Sequence, residues 1–281
     1  MAKGIGLIGN FKGKVGNTVG YKLTASNNGQ TQGIRVYQPI VKNPKSAGQA
    51  EQRAKLLAVN ATYRSLKMVI DRGNEGLPYG NKSRLAWLKT ALTAQQMPWI
   101  EKGSVVSAPV VCQLTKGSLP GVSFSATSDN IKVDVLGVTS ATTMTTIGQL
   151  TTALMAAYPN LKKGDQLTFV FMPFEAKGLQ SEVVSIVLDS KSADTLSSHF
   201  GAVTAIDDAI TFEGHIGADF GAVIVSRLGD NGEHLRSNTT LAIEAGMVES
   251  APYDEISKDE AIASYRASAA SNSDWAEESI Q

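Results

Sequence analysis

Cysteine occurs once in this chain, at Cys112, so no intramolecular disulfide can form. Its neighbours, Pro109-Val110-Val111 and Gln113-Leu114, mark it as a buried small apolar side chain rather than a reactive thiol. His199, His215 and His234 are far apart and lack the close pairing of a legible metal site. No G-x-S-x-G, S-x-x-K or H-E-x-x-H motif occurs, so no catalytic residue, metal or cofactor is assigned. No segment approaches the ~20 consecutive apolar residues of a membrane span, and a membrane partner is not expected. Lysines and glycines interrupt the opening residues, which therefore do not read as a signal peptide.

Net charge is also lacking, with 26 basic residues against 26 acidic ones, but the two signs are not mixed. Residues 1–110 hold 16 basic and 4 acidic residues, and residues 111–281 hold 10 and 22. A basic half and an acidic half point to a polyanionic partner, or to copies of one chain meeting through unlike ends. Docking of the two halves within one monomer would give the same pattern.

The expected fold class is α+β. An N-terminal β-hairpin and helical-hairpin unit over 1–104 precedes an antiparallel β-sandwich-like domain with an inserted helix over 105–250. A short helix at 257–270 and an acidic tail complete 251–281. In the first unit Leu7, Ile8 and Phe11 precede a turn at Gly13. Val15, Val19, Tyr21 and Leu23 form one strand, Asn27-Asn28-Gly29 a turn, and Ile34 to Tyr37 a further strand. Alternation sets Ile34 and Val36 on one face and Arg35 and Tyr37 on the other, a contact surface or simply an exposed strand face. Ser46-Ala47-Gly48-Gln49 has capping-box spacing. Leu56, Val59, Tyr63, Leu66 and Ile70 then draw an apolar stripe, with Arg53, Lys55, Arg64, Lys67 and Arg72 largely off it. A second helix is expected over 83–94.

Strands are expected at 105–114, 121–126, 131–136, 166–174, 182–188, 222–227 and 239–244. Thr146-Ile147-Gly148-Gln149 offers another capping box, opening a helix that ends near Tyr158-Pro159. Gly4-Ile5-Gly6-Leu7-Ile8-Gly9 matches G-x-G-x-x-G but has only three residues before it where a dinucleotide fold needs a strand, so its glycines read as strand-packing residues.

Arg35, Tyr37, Arg53, Arg64, Lys67, Arg72, Lys82 and Arg84 are the candidate contacts to nucleic acid or to another subunit. Tyr21, Tyr63, Tyr79, Trp87 and Trp99 lie in the same half, as stacking groups or as core. Trp275, Glu277 and Glu278 are a candidate partner-binding tail, or a frayed terminus.

Gly9-Asn10-Phe11-Lys12-Gly13-Lys14-Val15-Gly16-Asn17-Thr18-Val19-Gly20-Tyr21, Ile34-Arg35, Asn43-Pro44-Lys45-Ser46, Gln49 and Gln52-Arg53 together resemble a domain-of-unknown-function family of Bacteroidota and their phages. Val223-Ile224-Val225-Ser226-Arg227 and Leu235-Arg236-Ser237 resemble a distal pattern of that family. The resemblance implies a phage context and no chemistry. The expected function is a non-enzymatic phage structural or assembly protein that packs repeatedly through its basic half, its partners being itself or other virion proteins. The alternative is a single-stranded nucleic-acid-binding protein with an acidic recruiting tail, and a surface module with an Ig-like domain comes third. The expected location is the cytoplasm of an infected bacterium or the virion.

Overall fold

The computed structural model describes residues 13–22, 32–37, 47–94, 106–135, 142–175 and 178–248. Expectations for the Gly4–Gly9 motif, the Asn27-Asn28-Gly29 turn, Trp99, the 257–270 helix and the Trp275 tail lie outside them. The chain divides into two compact units, 1–46 and 47–281.

In the first unit, β1 (Gly13–Val15), β2 (Thr18–Lys22) and β3 (Gln32–Val36) form an antiparallel sheet in that order. The turn lies at Gly16-Asn17, not at Gly13, so what reads as a single strand from Val15 is a hairpin. Val15 pairs with Thr18 across two residues, and Gly16 takes φ +56°, the first central position where such loops favour glycine.

The second unit begins with α1 (Ala47–Ser65), α2 (Lys67–Ile70) and α3 (Asn81–Ala91). The expected stripe breaks at Leu66, between the first two helices. It is also rotated: Leu56 is exposed, and Ala54, Ala58, Val59 and Thr62 are buried. These small residues let the buried segment around Val110 approach α1. There the Val110 N–H donates to Thr62 Oγ1 (2.9 Å), whose hydroxyl donates to the Ala58 carbonyl (3.0 Å). On α3 the exposed Leu85 likewise departs from expectation, while Ser83, Trp87 and Ala91 are buried.

Strands follow: β4 (Gln113–Thr115), β5 (Phe124–Thr127), β6 (Asn130–Asp134) and β7 (Thr142–Thr143). Then come α4 (Ile147–Ala157), β8 (Gln166–Met172), β9 (Glu182–Val187), β10 (Ala202–Ile206), β11 (Ala209–Glu213) and β12 (Phe220–Leu228). Last are β13 (His234–Arg236), β14 (Thr239–Thr240), β15 (Ala242–Ile243) and α5 (Ala245–Val248). One open antiparallel sheet runs β5-β6-β11-β10-β7. A second runs β13-β12-β8-β9 with β15 also on β12, and β14 pairs with β4. The strand expected over 105–114 reduces to β4, and the one expected over 239–244 divides at buried Leu241, where the chain changes partner from β4 to β12. The α4 capping box is formed, with the Gln149 N–H donating to Thr146 Oγ1 and the Thr146 N–H to Gln149 Oε1.

The β8–β12 pair is apolar on both faces. Leu167, Phe169, Phe171, Val223 and Val225 share a core with Ile131, Val133, Val203, Ile210 and Phe212 of the other sheet and with Leu150 and Leu154 of α4. The ring centroids of Phe169 and Phe212 are 4.4 Å apart, and those of Phe169 and Phe200 are 5.1 Å. Val170, Met172, Phe220, Ala222 and Ile224 form a second core with Ala58, Val59, Leu66, Ile70, Trp87 and Ala91 of the helices. The helices therefore belong with the distal strands rather than with β1–β3, and the boundary expected at residue 104 falls at 46/47. Cys112 lies in this second core, where burial pushes its thiol pKa up to about 12 against a smaller opposing effect of the Trp87 indole.

Two polar staples reinforce this arrangement, one within the β8–β12 sheet and one between the helical segment and the strands. Asp165, 1% exposed, receives Arg227 Nε (2.6 Å), Arg227 Nη2 (2.7 Å) and the Lys162 N–H (2.7 Å). Its hydrogen bonding holds the guanidinium pKa above the usual value. Glu75 receives the Ser118 N–H (2.9 Å), the Ser118 hydroxyl (2.7 Å) and the Arg236 N–H (3.1 Å). Gly117 makes this possible, since a Cβ there would lie 2.1 Å from the Arg236 carbonyl oxygen. Among the described residues no helix is long and apolar enough to cross a membrane.

Arg227→Ala is expected to cost about 3–5 kcal/mol, because it strands a buried carboxylate. Urea unfolding at pH 7 measures this, and an unchanged midpoint would show that the pair does not hold these strands. Glu75 supplies a pH test. Burial raises its pKa, but the hydrogen bonds from Ser118 and Arg236 outweigh that and leave it lowered. Its contribution is therefore present above the ordinary carboxylate range and is lost as pH falls through the depressed value. The stability gap between wild type and Glu75→Gln should narrow steadily below about pH 4, as followed by thermal melts across pH.

Candidate functional site

In the three-stranded sheet the register sets Lys14, Val19 and Arg35 opposite one another, and alternation adds Tyr21 and Tyr37 to the same face. Lys14 Nζ lies 3.6 Å from the Tyr37 ring centroid, a cation–π contact. Arg35 is exposed, and Tyr21 and Tyr37 are half-buried. The face thus carries two cations and two phenols; Arg35, Tyr37 and Tyr21 are legible in the sequence as contact or stacking groups, while Lys14 is set beside them only by the Gly16-Asn17 turn. On the other face Val36 is 75% exposed.

The second unit carries the remaining candidates. Arg53 and Arg64 on α1, Lys67 on α2, Arg72 beyond it and Lys82 on α3 are all exposed. Arg84 is half-buried and has a packing task, with its guanidinium 4.5 Å from the Tyr63 ring centroid. Tyr63 packs on Trp87 at 6.2 Å and donates its hydroxyl to Asp71 Oδ1 (2.9 Å). Burial chiefly, then that hydrogen bond and the Asp71 charge, raise the Tyr63 pKa against the opposing Arg84 charge. Tyr63 and Trp87 therefore serve the fold, and Trp87, 2% exposed, offers no stacking surface.

Arg72 meets groups that the sequence does not associate with it. Its guanidinium lies 5.6 Å from the Tyr79 ring centroid, and Tyr79 meets His234 at 5.4 Å. Arg72 and Arg236 also line a shallow cleft of about 120 Å³ with Met68, Thr168, Val183, Ser185 and Ser226 among its walls, and no carboxylate is among its lining residues. Arg236 and His234 come from β13, far along the chain, and no local pattern announces their meeting with Arg72.

The ion pairs among the described residues are Lys55–Glu51, Lys163–Asp189, His215–Glu182 and Arg227–Asp165. None uses Arg53, Arg64, Lys67, Arg72, Lys82 or Arg84. The helices share an apolar core with the distal strands, and none of these cations bridges that contact as an ion pair with another described residue. Such side chains can neutralise phosphates or meet carboxylates of another molecule. Among the described residues no group of three or more His, Cys, Asp or Glu is placed to hold a metal ion. Comparison with protein-family models, curated proteins and solved structures gives no match.

Because they touch little, Arg53→Ala, Arg64→Ala and Lys67→Ala should each stay within about 0.5 kcal/mol of wild type. Arg84→Ala should cost about 1 kcal/mol through loss of its stack on Tyr63. Urea midpoints separate the two classes.

Proposed function

We propose that this chain is a non-enzymatic assembly protein that packs repeatedly through its basic N-terminal half, in the phage structural setting that its family resemblance implies. The carrying observation is the state of the helix cations: Arg53, Arg64, Lys67, Arg72 and Lys82 are exposed and form no ion pair with another described residue. Charge of one sign left uncompensated on a folded surface favours a partner of opposite sign. The acidic half of a neighbouring copy, or another virion protein, offers it. The two sheets that share the phenylalanine-rich core support reading residues 105–250 as a sandwich-like body that carries this surface.

A second reading rests on a different face. Lys14, Tyr21, Arg35 and Tyr37 combine backbone-neutralising cations with rings on which bases stack, the usual composition of a single-strand platform.

Sedimentation at low and high salt, with and without a labelled oligonucleotide, tests both. Association of the chain alone, weakened by salt and by Arg64→Glu with Lys67→Glu, is the expected result. A chain that stays monomeric and carries the oligonucleotide down at low salt only would replace it with the second reading, with Tyr37→Ala then reducing affinity by about 1–3 kcal/mol.

A further inference from the structure

Strand β9 lies at the edge of its sheet, and β8 is its only strand partner among the described residues. Natural edges are commonly blunted by lysine, proline or a bulge. The segment Glu182-Val183-Val184-Ser185-Ile186-Val187 has no lysine or proline, and its ladder to β8 runs without a break from Glu182 to Val187. Val184 and Ile186 point into the core, while Val183 (39% exposed), Ser185 and Val187 (55% exposed) form the outward row.

This row is symmetric about its centre. If two copies pair antiparallel with Ser185 opposite Ser185, Val183 of one meets Val187 of the other, and this happens twice. The same register sets Val184 beside Ile186 on the core side, so both faces match without a slip. At one end of the strand the Glu182 carboxylate receives the His215 N–H (2.8 Å) and meets the His215 ring (2.6 Å), and beyond the other end Lys163 pairs with Asp189 (3.2 Å). An antiparallel arrangement sets each of these ends beside the other.

We propose that a second copy of this chain occupies the β9 edge, joining two sheets across a two-fold axis at Ser185. A two-fold contact of this kind is isologous and closes on itself. Combined with contacts of the basic helices, it would propagate an assembly, so its biological sense rests on the assembly reading although the surface is a different one. Backbone hydrogen bonds and valine pairs make it insensitive to salt, unlike a contact through helix cations.

The lone buried thiol makes a clean test possible. In Ser185→Cys the new cysteines face each other at a strand-pair spacing that accommodates a disulfide, while Cys112 stays silent within the core. The full-length variant should form a covalent dimer under mild oxidation at both low and high salt, and wild type should form none. Val183→Lys with Val187→Lys, both at exposed sites, should keep the wild-type circular dichroism and raise the dimer Kd about a hundredfold, since lysines then oppose lysines. Arg64→Glu with Lys67→Glu should leave the Ser185→Cys cross-link intact, which separates this contact from the basic-surface one. No cross-link, or a cross-link undiminished by the lysine pair, overturns the proposal. Loss of the cross-link in the Arg64 and Lys67 variant would assign association to the helices instead.

Discussion

Burial of both faces of the β8–β12 pair is the constraint on which the rest of the second unit depends. A strand pair with Phe169, Phe171 and Val223 on one side and Val170, Ala222 and Ile224 on the other needs two apolar covers. The β5–β7 sheet with α4 supplies one, and helices α1–α3 supply the other. This arrangement also weakens the usual guard on register. In a one-sided sheet a slip by one residue drives apolar groups into water, whereas here it exchanges one apolar face for another. The Asp165–Arg227 staple sits where it can provide that guard. Gln166 pairs with Ser226, so Asp165 and Arg227 stand at the next step of the same register, and only that pairing satisfies the buried carboxylate.

The distal segments 223–227 and 235–237 have structural tasks of the same kind. Val223, Ile224 and Val225 fill the two cores in turn, and Arg227 closes the staple. Ser237, fully buried, accepts the Val225 N–H at its hydroxyl, and its carbonyl receives the Thr115 hydroxyl. That pattern therefore speaks of how the sheet is built more than of what it binds. The side chain of Arg236 is the exception, since it lines the cleft with Arg72.

Charge segregation takes on physical meaning only with the fold. Three arrangements share the same division of sign along the chain: an internal salt-bridged contact, a nucleic-acid surface and a contact between copies. Among the described residues the internal contact rests on an apolar core and the Glu75 hydrogen bonds, and no ion pair crosses it. The helices thus combine two separate features, an apolar inner face that completes the second unit and a set of exposed cations, Arg53, Arg64, Lys67, Arg72 and Lys82, that form no ion pair with another described residue.

Much of the local structure was legible. The capping box at Thr146, the alternation of β6 and the unbroken apolar run of β8 follow from rules that act over a few residues. The β10–β11 hairpin was missed although its signal was present: Val203 and Ala205 alternate before Asp207-Asp208 and Ile210 and Phe212 after it, with both aspartates at the positive φ of a tight turn. Leu56 and Leu85 were misread because helical periodicity finds an apolar stripe but not its partner, and Ala54, Ala58 and Thr62 fit the close contact better than leucine. The sequence by itself determined the α+β class, the positions of most helices and strands, the inert cysteine and the basic character of the helix surface, since each rests on composition or short-range pattern. Only the tertiary structure decided which unit the helices join, that Arg84 and Trp87 serve packing, that Arg72 meets Arg236, and that β9 is left at an edge. Those outcomes depend on which distant segments cover an apolar face, and that is set by packing between residues far apart in the chain.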